Sequence, residues 1–437
     1  MTATLPRRRP RKVTALATAT AACASLLSGC SLLPGEARAG DDAITVMTWA
    51  PDRTKATNMP GMPAMAQAYA RWVNAEGGIN GRRLDVLTCN EHNDTVRAAN
   101  CARRAVEEGA VAVVGSYSQH GRSFMSPLEG ARIPYIGGYG LADEEFTSPL
   151  SYPVNGGLPA LVAGNGRQLA AGECERVSLV RPDTTAGDQL PALLNAGLRD
   201  GGAAAAAPAA DIRAPEDATS YRTAAESALE TAATSSGAQD SACVTAVLGG
   251  RTDTFFDSFR RIQADDPSVR TASVLGSVRQ SLVDRTGGAD SPLDGAYTTG
   301  WYPSADDPRW DPMKDVVRTH AFKDNRIDTA DPGVQTTWIA YTVLRNALES
   351  LSDEEPVSTE NLRGALDEGD AIATGGLTPE LRWHYEDLLA AHDFPRIVNT
   401  QVTYQRVREG KVVSVHRGFV DVERSLEAQR QDGVAGG

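Results

Sequence analysis

Two arginines, Arg251 and Arg279, sit just past the apolar runs 244–248 and 271–275, where strands would end. A guanidinium there presents a planar fork that suits a carboxylate or a polyol. The plainer alternative is a surface pairing with Asp253 or Asp284. Hydroxyl, amide and aromatic groups gather after other apolar runs: Ser118 and Gln119 follow 111–115, and Tyr139 follows 133–136. Such groups hold and orient small molecules. Catalysis has no comparable support, because the chain has no G-x-S-x-G elbow, P-loop, G-x-G-x-x-G or H-E-x-x-H. His92, His120, His320, His384, His392 and His416 are scattered, and no C-x-x-C or Cys/His cluster occurs, so no metal or cofactor is expected. The densest polar run is Glu91-His92-Asn93-Asp94, where Asp94 more simply caps a helix starting at Thr95.

The amino terminus points to export. Arg7, Arg8, Arg9, Arg11 and Lys12 precede an apolar stretch over 13–27 that is too short to span a bilayer. Leu27-Ser28-Gly29-Cys30 then resembles the lipobox of bacterial lipoproteins, which implies cleavage before Cys30 and a lipid on its thiol. Residues 1–29 read as the signal peptide and 30–42 as a tether; Arg8-Arg9 leaves the general secretory and twin-arginine routes both open. Removing 1–29 takes five positive charges and no negative ones, so the formal charge goes from −13 to −18. Such a surface repels nucleic acid and anionic lipid. Membrane contact is therefore expected through the N-terminal lipid, on the outer face of the cell membrane.

Chemistry needs elements to position it, and these are legible as a change of period. Residues 68–74 read as a helix that stops at Gly77-Gly78, 83–87 alternate as a strand, 95–108 return to helical spacing, and 111–115 form a short apolar run. Alternation of this kind demands right-handed crossovers and parallel sheets. A mature chain of about 400 residues exceeds one ordinary core, so two α/β lobes are expected. The boundaries read as 43–155 plus 300–395 for lobe 1, 156–299 plus 396–422 for lobe 2, and 423–437 for a polar tail.

The run "ARWVNAEGGINGRRLDVLTCNEHND…AANCARRAVEEGAVAVVGSYSQ…IPYIGGYG" resembles the first lobe of type I periplasmic binding proteins, nearest the branched-chain amino-acid receptors of ABC importers. "VQTTWIAYTVLRNALES", 334–350, is similar to the helix that family places after its third inter-lobe crossing. The resemblance implies two doubly wound parallel-sheet lobes joined by a three-strand hinge. It also implies no enzyme activity, capture of a small polar molecule (amino acid, amide, carboxylate or related) by hinge closure, and an ABC permease as partner. A receptor that presents its closed form to a membrane sensor, or a degenerate binding lipoprotein, stays open as an alternative.

Four cysteines remain after Cys23 and Cys30, and four allow three pairings. Cys89 ends one strand and Cys101 lies in the next helix; Cys174 and Cys243 precede strands that neighbour each other in a 2-1-3 order. The expected bridges are Cys89–Cys101 and Cys174–Cys243, as suits an extracytoplasmic protein. Ligands of such sheets sit beyond the strands' carboxyl ends, which nominates Trp49, Ser118, Gln119, Tyr139, Leu141, Thr185, Arg251 and Arg279. The chain departs from the amino-acid receptors there. Leu141 and Ala142 stand where a Ser/Thr pair is common, Ala186 replaces an aromatic, and Val278-Arg279 offers no acid for an ammonium group. The fold carries over; the amino-acid specificity does not.

Overall fold

A computed structural model describes residues 43–202, 209–233, 242–263, 269–274, 278–291, 293–352 and 354–428. The signal peptide, the tether and Cys30 lie outside the described residues. The first sheet is built from β1 (Ile44–Trp49), β2 (Leu84–Cys89), β3 (Ala112–Val114), β4 (Tyr135–Ile136) and β5 (Ser151–Tyr152), in the order β2-β1-β3-β4-β5, all parallel. Between these strands run α1 (Gly61–Ala75), α2 (Thr95–Glu107), α3 (Gly121–Ala131) and α4 (Asp143–Thr147). Asp94 does cap α2, its Oδ1 accepting from Arg97 N at 2.9 Å. The helix read over 68–74 extends back to Gly61, whose Cβ position is closed by Val334 and the Arg326 carbonyl.

The chain then leaves for the second sheet through α5 (Gly157–Ala171), β6 (Arg176–Pro182), α6 (Leu190–Asp200), β7 (Ala210–Ala214) and α7 (Arg222–Ala233). It goes on through β8 (Ala242–Ala246), α8 (Thr252–Gln263), β9 (Arg270–Val274), α9 (Gln280–Arg285) and β10 (Tyr297–Gly300). It returns to the first lobe as α10 (Asp311–His320), α11 (Pro332–Glu349) and α12 (Thr359–Asp367). It finishes on the second as β11 (Gln401–Arg408), β12 (Lys411–Ser414), β13 (Val420–Asp421) and α13 (Glu423–Glu427). The second sheet has the order β12-β11-β10-β9-β8-β6-β7, parallel from β7 to β10 and antiparallel beyond, with β13 beside β11. Most of the Ala-rich segment lies outside the described residues; β7, which follows it, is an edge strand, with Asp211 and Arg213 on its exposed side.

Both bridges are formed, Cys89–Cys101 and Cys174–Cys243, each with Cα atoms 5.8 Å apart. Cys243 lies inside β8 rather than before it. The first residues of the tail, 423–428, are docked. Val422, Ser425 and Leu426 are buried, α13 packs on α5 and α6, and Ser425 Oγ donates to Asp200 at 3.1 Å. The apolar side chains of Val422 and Leu426 anchor a segment that otherwise reads as polar.

The hydrophobic core places α1 and α11 on one face of the first sheet and α2 and α3 on the other. In the second lobe α5 and α6 cover one face and α7 and α8 the other. The three crossings between lobes are stitched side by side. Asn155 Nδ2 donates to Tyr302 Oη at 2.8 Å, Thr403 Oγ1 to Tyr302 O at 2.7 Å, and Asn399 Nδ2 to Val154 O at 3.0 Å. Among the described residues no helix is long and apolar enough to cross a membrane.

Candidate functional site

The carboxyl ends of the two sheets face one another across a cavity of about 440 Å³. From the first lobe it is lined by the turn after β1 (Thr57, Met59), the turn after β3 (Tyr117, Gln119, His120), the loop after β4 (Tyr139, Leu141) and the start of α11 (Asp331). The second lobe supplies Leu158 and Leu161 from α5, the turn after β6 from Pro182 to Leu190, Glu216 after β7, 247–250 after β8, and Arg279 at the head of α9. The wall is mainly apolar, with a few polar groups aimed inward, as expected of a small-molecule site. Tyr139 stands at its base, edge-on to Tyr117 and to Trp301, both at 5.1 Å between ring centroids. Gln119 Nε2 donates to Tyr117 Oη at 3.2 Å. Burial pushes the Tyr117 phenol up to about 12 and Tyr139 well above the ordinary phenol range, so both stay neutral donors.

Contacts link the two lobes in and beside the cavity. Arg279 Nη1 meets Asp331 Oδ2 at 3.0 Å, Gly250 N donates to Thr57 Oγ1 at 3.3 Å, Gln189 Nε2 to Asp143 Oδ1 at 3.3 Å, and the Arg251 guanidinium to Lys55 O. Asp331 is also the N-cap of α11, its Oδ1 accepting from Gly333 N at 2.8 Å and Val334 N at 3.3 Å. Burial raises its pKa, and Arg279 and the two N–H groups pull it back. A carboxylate at a helix N-terminus, bonded to a guanidinium on the other lobe, is a latch between the lobes.

Gln119, Tyr139, Leu141 and Arg279 therefore line the cavity as the sequence indicates. Three other candidates do not. Trp49 is fully buried against Phe124 and Tyr135, because alternation along β1 sends Met47 and Trp49 to the α2–α3 face. Ser118 is buried with its Oγ accepting from His120 N at 3.1 Å and 3.4 Å from Glu91 Oε2. Arg251 turns outward to the Lys55 carbonyl, and Arg279 is paired with Asp331 rather than Asp284, so the two do not form an anion clamp. Thr185 begins the turn after β6, and its side chain lies outside the described residues. Sequence reasoning passed over Asp331, although Asp331-Pro332-Gly333 carries a helix-start signature of a capping acid with Pro at N1. Thr57 and Glu216 gave no signal, sitting in irregular turns far apart in the chain.

Two buried acids support the first-lobe wall. Glu145 accepts from the backbone N–H groups of Gly140 (3.0 Å), Leu141 (2.9 Å) and Ala142 (3.0 Å), and burial pushes its pKa to about 7 against those donors. Glu91, wholly enclosed, is likewise pushed to about 7 by burial, against bonds from Asn93 and Ser118. Among the described residues the one cluster with metal-ligand proximity is His384, Glu386 and Asp387, away from the cavity lining. Both Asp387 oxygens are held by Arg382 there, at 2.6 and 2.9 Å.

Two lobes wound the same way, joined by three crossings and with a cavity between the carboxyl ends of their sheets, have the architecture of a two-lobed solute-binding protein. The family described as periplasmic binding protein matches residues 54–393, and the chain belongs to it. No curated protein sequence matches the chain. Among solved structures it is similar to a branched-chain amino acid ABC transporter protein from Thermus thermophilus with bound valine. That match has TM-score 0.69 and 14% identity, covering 89% of this chain and 100% of that one. A possible leucine/isoleucine/valine-binding protein from Rhodopirellula baltica SH 1 gives TM-score 0.68 and 14% identity over 86% and 96%. A substrate-binding periplasmic protein from Ralstonia solanacearum gives 0.66 and 16% over 85% and 99%. At these identities the likeness shows the fold.

Proposed function

We propose that this chain is the extracytoplasmic receptor of an ABC importer, held at the outer face of the membrane by a lipid on Cys30, and that it captures a small solute by closing its lobes. The observation that carries the reading is the cavity walled by the carboxyl ends of both sheets and bridged by Arg279–Asp331. A ligand touching both walls stabilises the closed arrangement through its differential affinity for it. The reading assigns the site no chemistry.

Thermal-shift screening of residues 31–437 against amino acids, amides, carboxylates, short peptides and polyols tests capture. A native-state ligand at a hundred times its Kd adds about 2.7 kcal/mol of stability, so a saturable rise in Tm is expected for at least one class. Turnover of a bound compound would contradict the reading. Cys30→Ser is expected to move the protein from the membrane to the soluble fraction in the native host; retention in the membrane would remove the lipid anchor.

A further inference from the structure

The donors that would hold an α-carboxylate are already occupied by the protein itself. In the loop after β4, the N–H groups of Gly140, Leu141 and Ala142 all end on the Glu145 carboxyl. In the turn after β3, the Ser116 hydroxyl accepts from Trp49 N at 3.1 Å, and the Ser118 hydroxyl is turned inward to His120 N and Glu91. Both serines are buried and neither lines the cavity. The charge of Arg279, the guanidinium in the lining, is compensated by Asp331 through Nη1, while its buried Nε has no partner.

The acids are committed too. Asp331 serves Arg279 and the α11 cap, Asp143 accepts from Gln189, and Glu144 lies 3.6 Å from Arg122. Among the described residues only Glu216 lines the cavity without a hydrogen bond or ion pair. It stands half-buried at the rim, shared with a second polar groove and next to exposed Asp217, and burial raises its pKa. His120 is the other titratable group in the lining, and its Nδ1 is 3.2 Å from Thr95 Oγ1. What remains for a ligand is an apolar wall (Leu141, Leu158, Leu161, Val247, Leu248, Val274) with neutral groups at one end: the Tyr117 and Tyr139 phenols, the Gln119 amide and the Thr57 hydroxyl. The size argues the same way. A cavity of 440 Å³ matches the liquid volume of roughly fifteen waters, more than one small amino acid fills.

Resting on the reading of this cleft as a solute site, we infer that its ligand is an uncharged molecule with an apolar body larger than a single amino acid and neutral hydrogen-bonding groups at one end. A carboxylate entering this cavity loses its water and meets no Lys or Arg in the lining whose charge is not already compensated, which leaves a desolvation penalty. A zwitterion suffers the same loss at both charges.

The test is a set of matched probes measured by calorimetry and thermal shift on residues 31–437. Each carboxylate is paired with its primary amide: 4-methylpentanoate, 3-phenylpropanoate, N-acetyl-leucine and N-acetyl-tyrosyl-leucine, with free leucine and leucyl-leucine as zwitterions and leucinamide as the cation. The expected result is that amides bind at least tenfold more tightly than their carboxylates, and that the larger amides bind best. In Asp331→Asn, which leaves Arg279 without its counter-charge, the carboxylate-to-amide affinity ratio is expected to rise at least fivefold. Binding of leucine or any carboxylate or cation as tight as that of the matching amide would overturn the inference while leaving solute binding intact. No binding by any probe would remove both.

Discussion

Replacing Asp331 by Asn isolates the electrostatic part of the latch, because Asn caps a helix about as well as Asp and keeps the bonds to Gly333 and Val334. Opposite unit charges at the 3.0 Å separation of Arg279 and Asp331 attract by about 5 kcal/mol at an effective dielectric of 20. Desolvation of both groups cancels most of that. The side chains are 28% and 18% exposed, which leaves solvent screening at work, so the net value falls to about 1–2 kcal/mol, the range of a charge-assisted hydrogen bond. The ratio of closed to open lobes should then drop roughly five- to thirtyfold. Spin labels on Val96→Cys in the first lobe and Val415→Cys in the second are both on exposed positions, and the described native cysteines are disulfide-bonded. Pulsed dipolar spectroscopy on this pair should show a longer-distance population growing in Asp331→Asn. A distance distribution identical to that of the parent would refute the assignment of Arg279–Asp331 as a latch.

Other consequences follow from the same packing. Glu91, raised to about 7 by burial, holds a proton in the native state that the unfolded chain has already released above the ordinary carboxylate range. The contribution of Glu91 to stability is thus fully present below about pH 4.5 and is lost, by roughly a few kcal/mol, as pH rises through 7; chemical denaturation of Glu91→Gln should show a flatter profile between pH 5 and 8. Gly157→Ala places a Cβ 2.3 Å from Phe146 Cζ and 2.8 Å from Gly140 O at a φ of +60°, so denaturant titration should show a loss of about 2–4 kcal/mol. Removing the Cys174–Cys243 bridge as a double Ala variant opens a 69-residue loop and should cost about 4 kcal/mol in the same assay.

The lobes were legible because parallel strands buried on both faces leave near-continuous apolar runs; β3 is one, and β1 and β8 are interrupted only by threonines. The Cys174–Cys243 bridge was legible because the two cysteines fall at the same end of neighbouring parallel strands, β6 and β8. Trp49 could have been placed correctly from alternation alone, since Val46 and Met47 already fix which face each residue takes. The cavity was harder. That Arg279 would pair with Asp331, 52 residues away, depends on how two lobes approach, which no local period encodes. That Glu145 would claim three N–H groups of the loop after β4 depends on α4 folding back beneath it, in a helix of only five residues. Residues that pack against their own sheet announce themselves by spacing; residues that meet across a hinge do not.

The most direct measurement is the distance between labels at 96 and 415 with and without the probe that raises Tm most. Hinged capture predicts a broad, partly open distribution that collapses to one short distance as the probe saturates, with the same midpoint as the thermal shift. A single distance that no stabilising probe alters would contradict it.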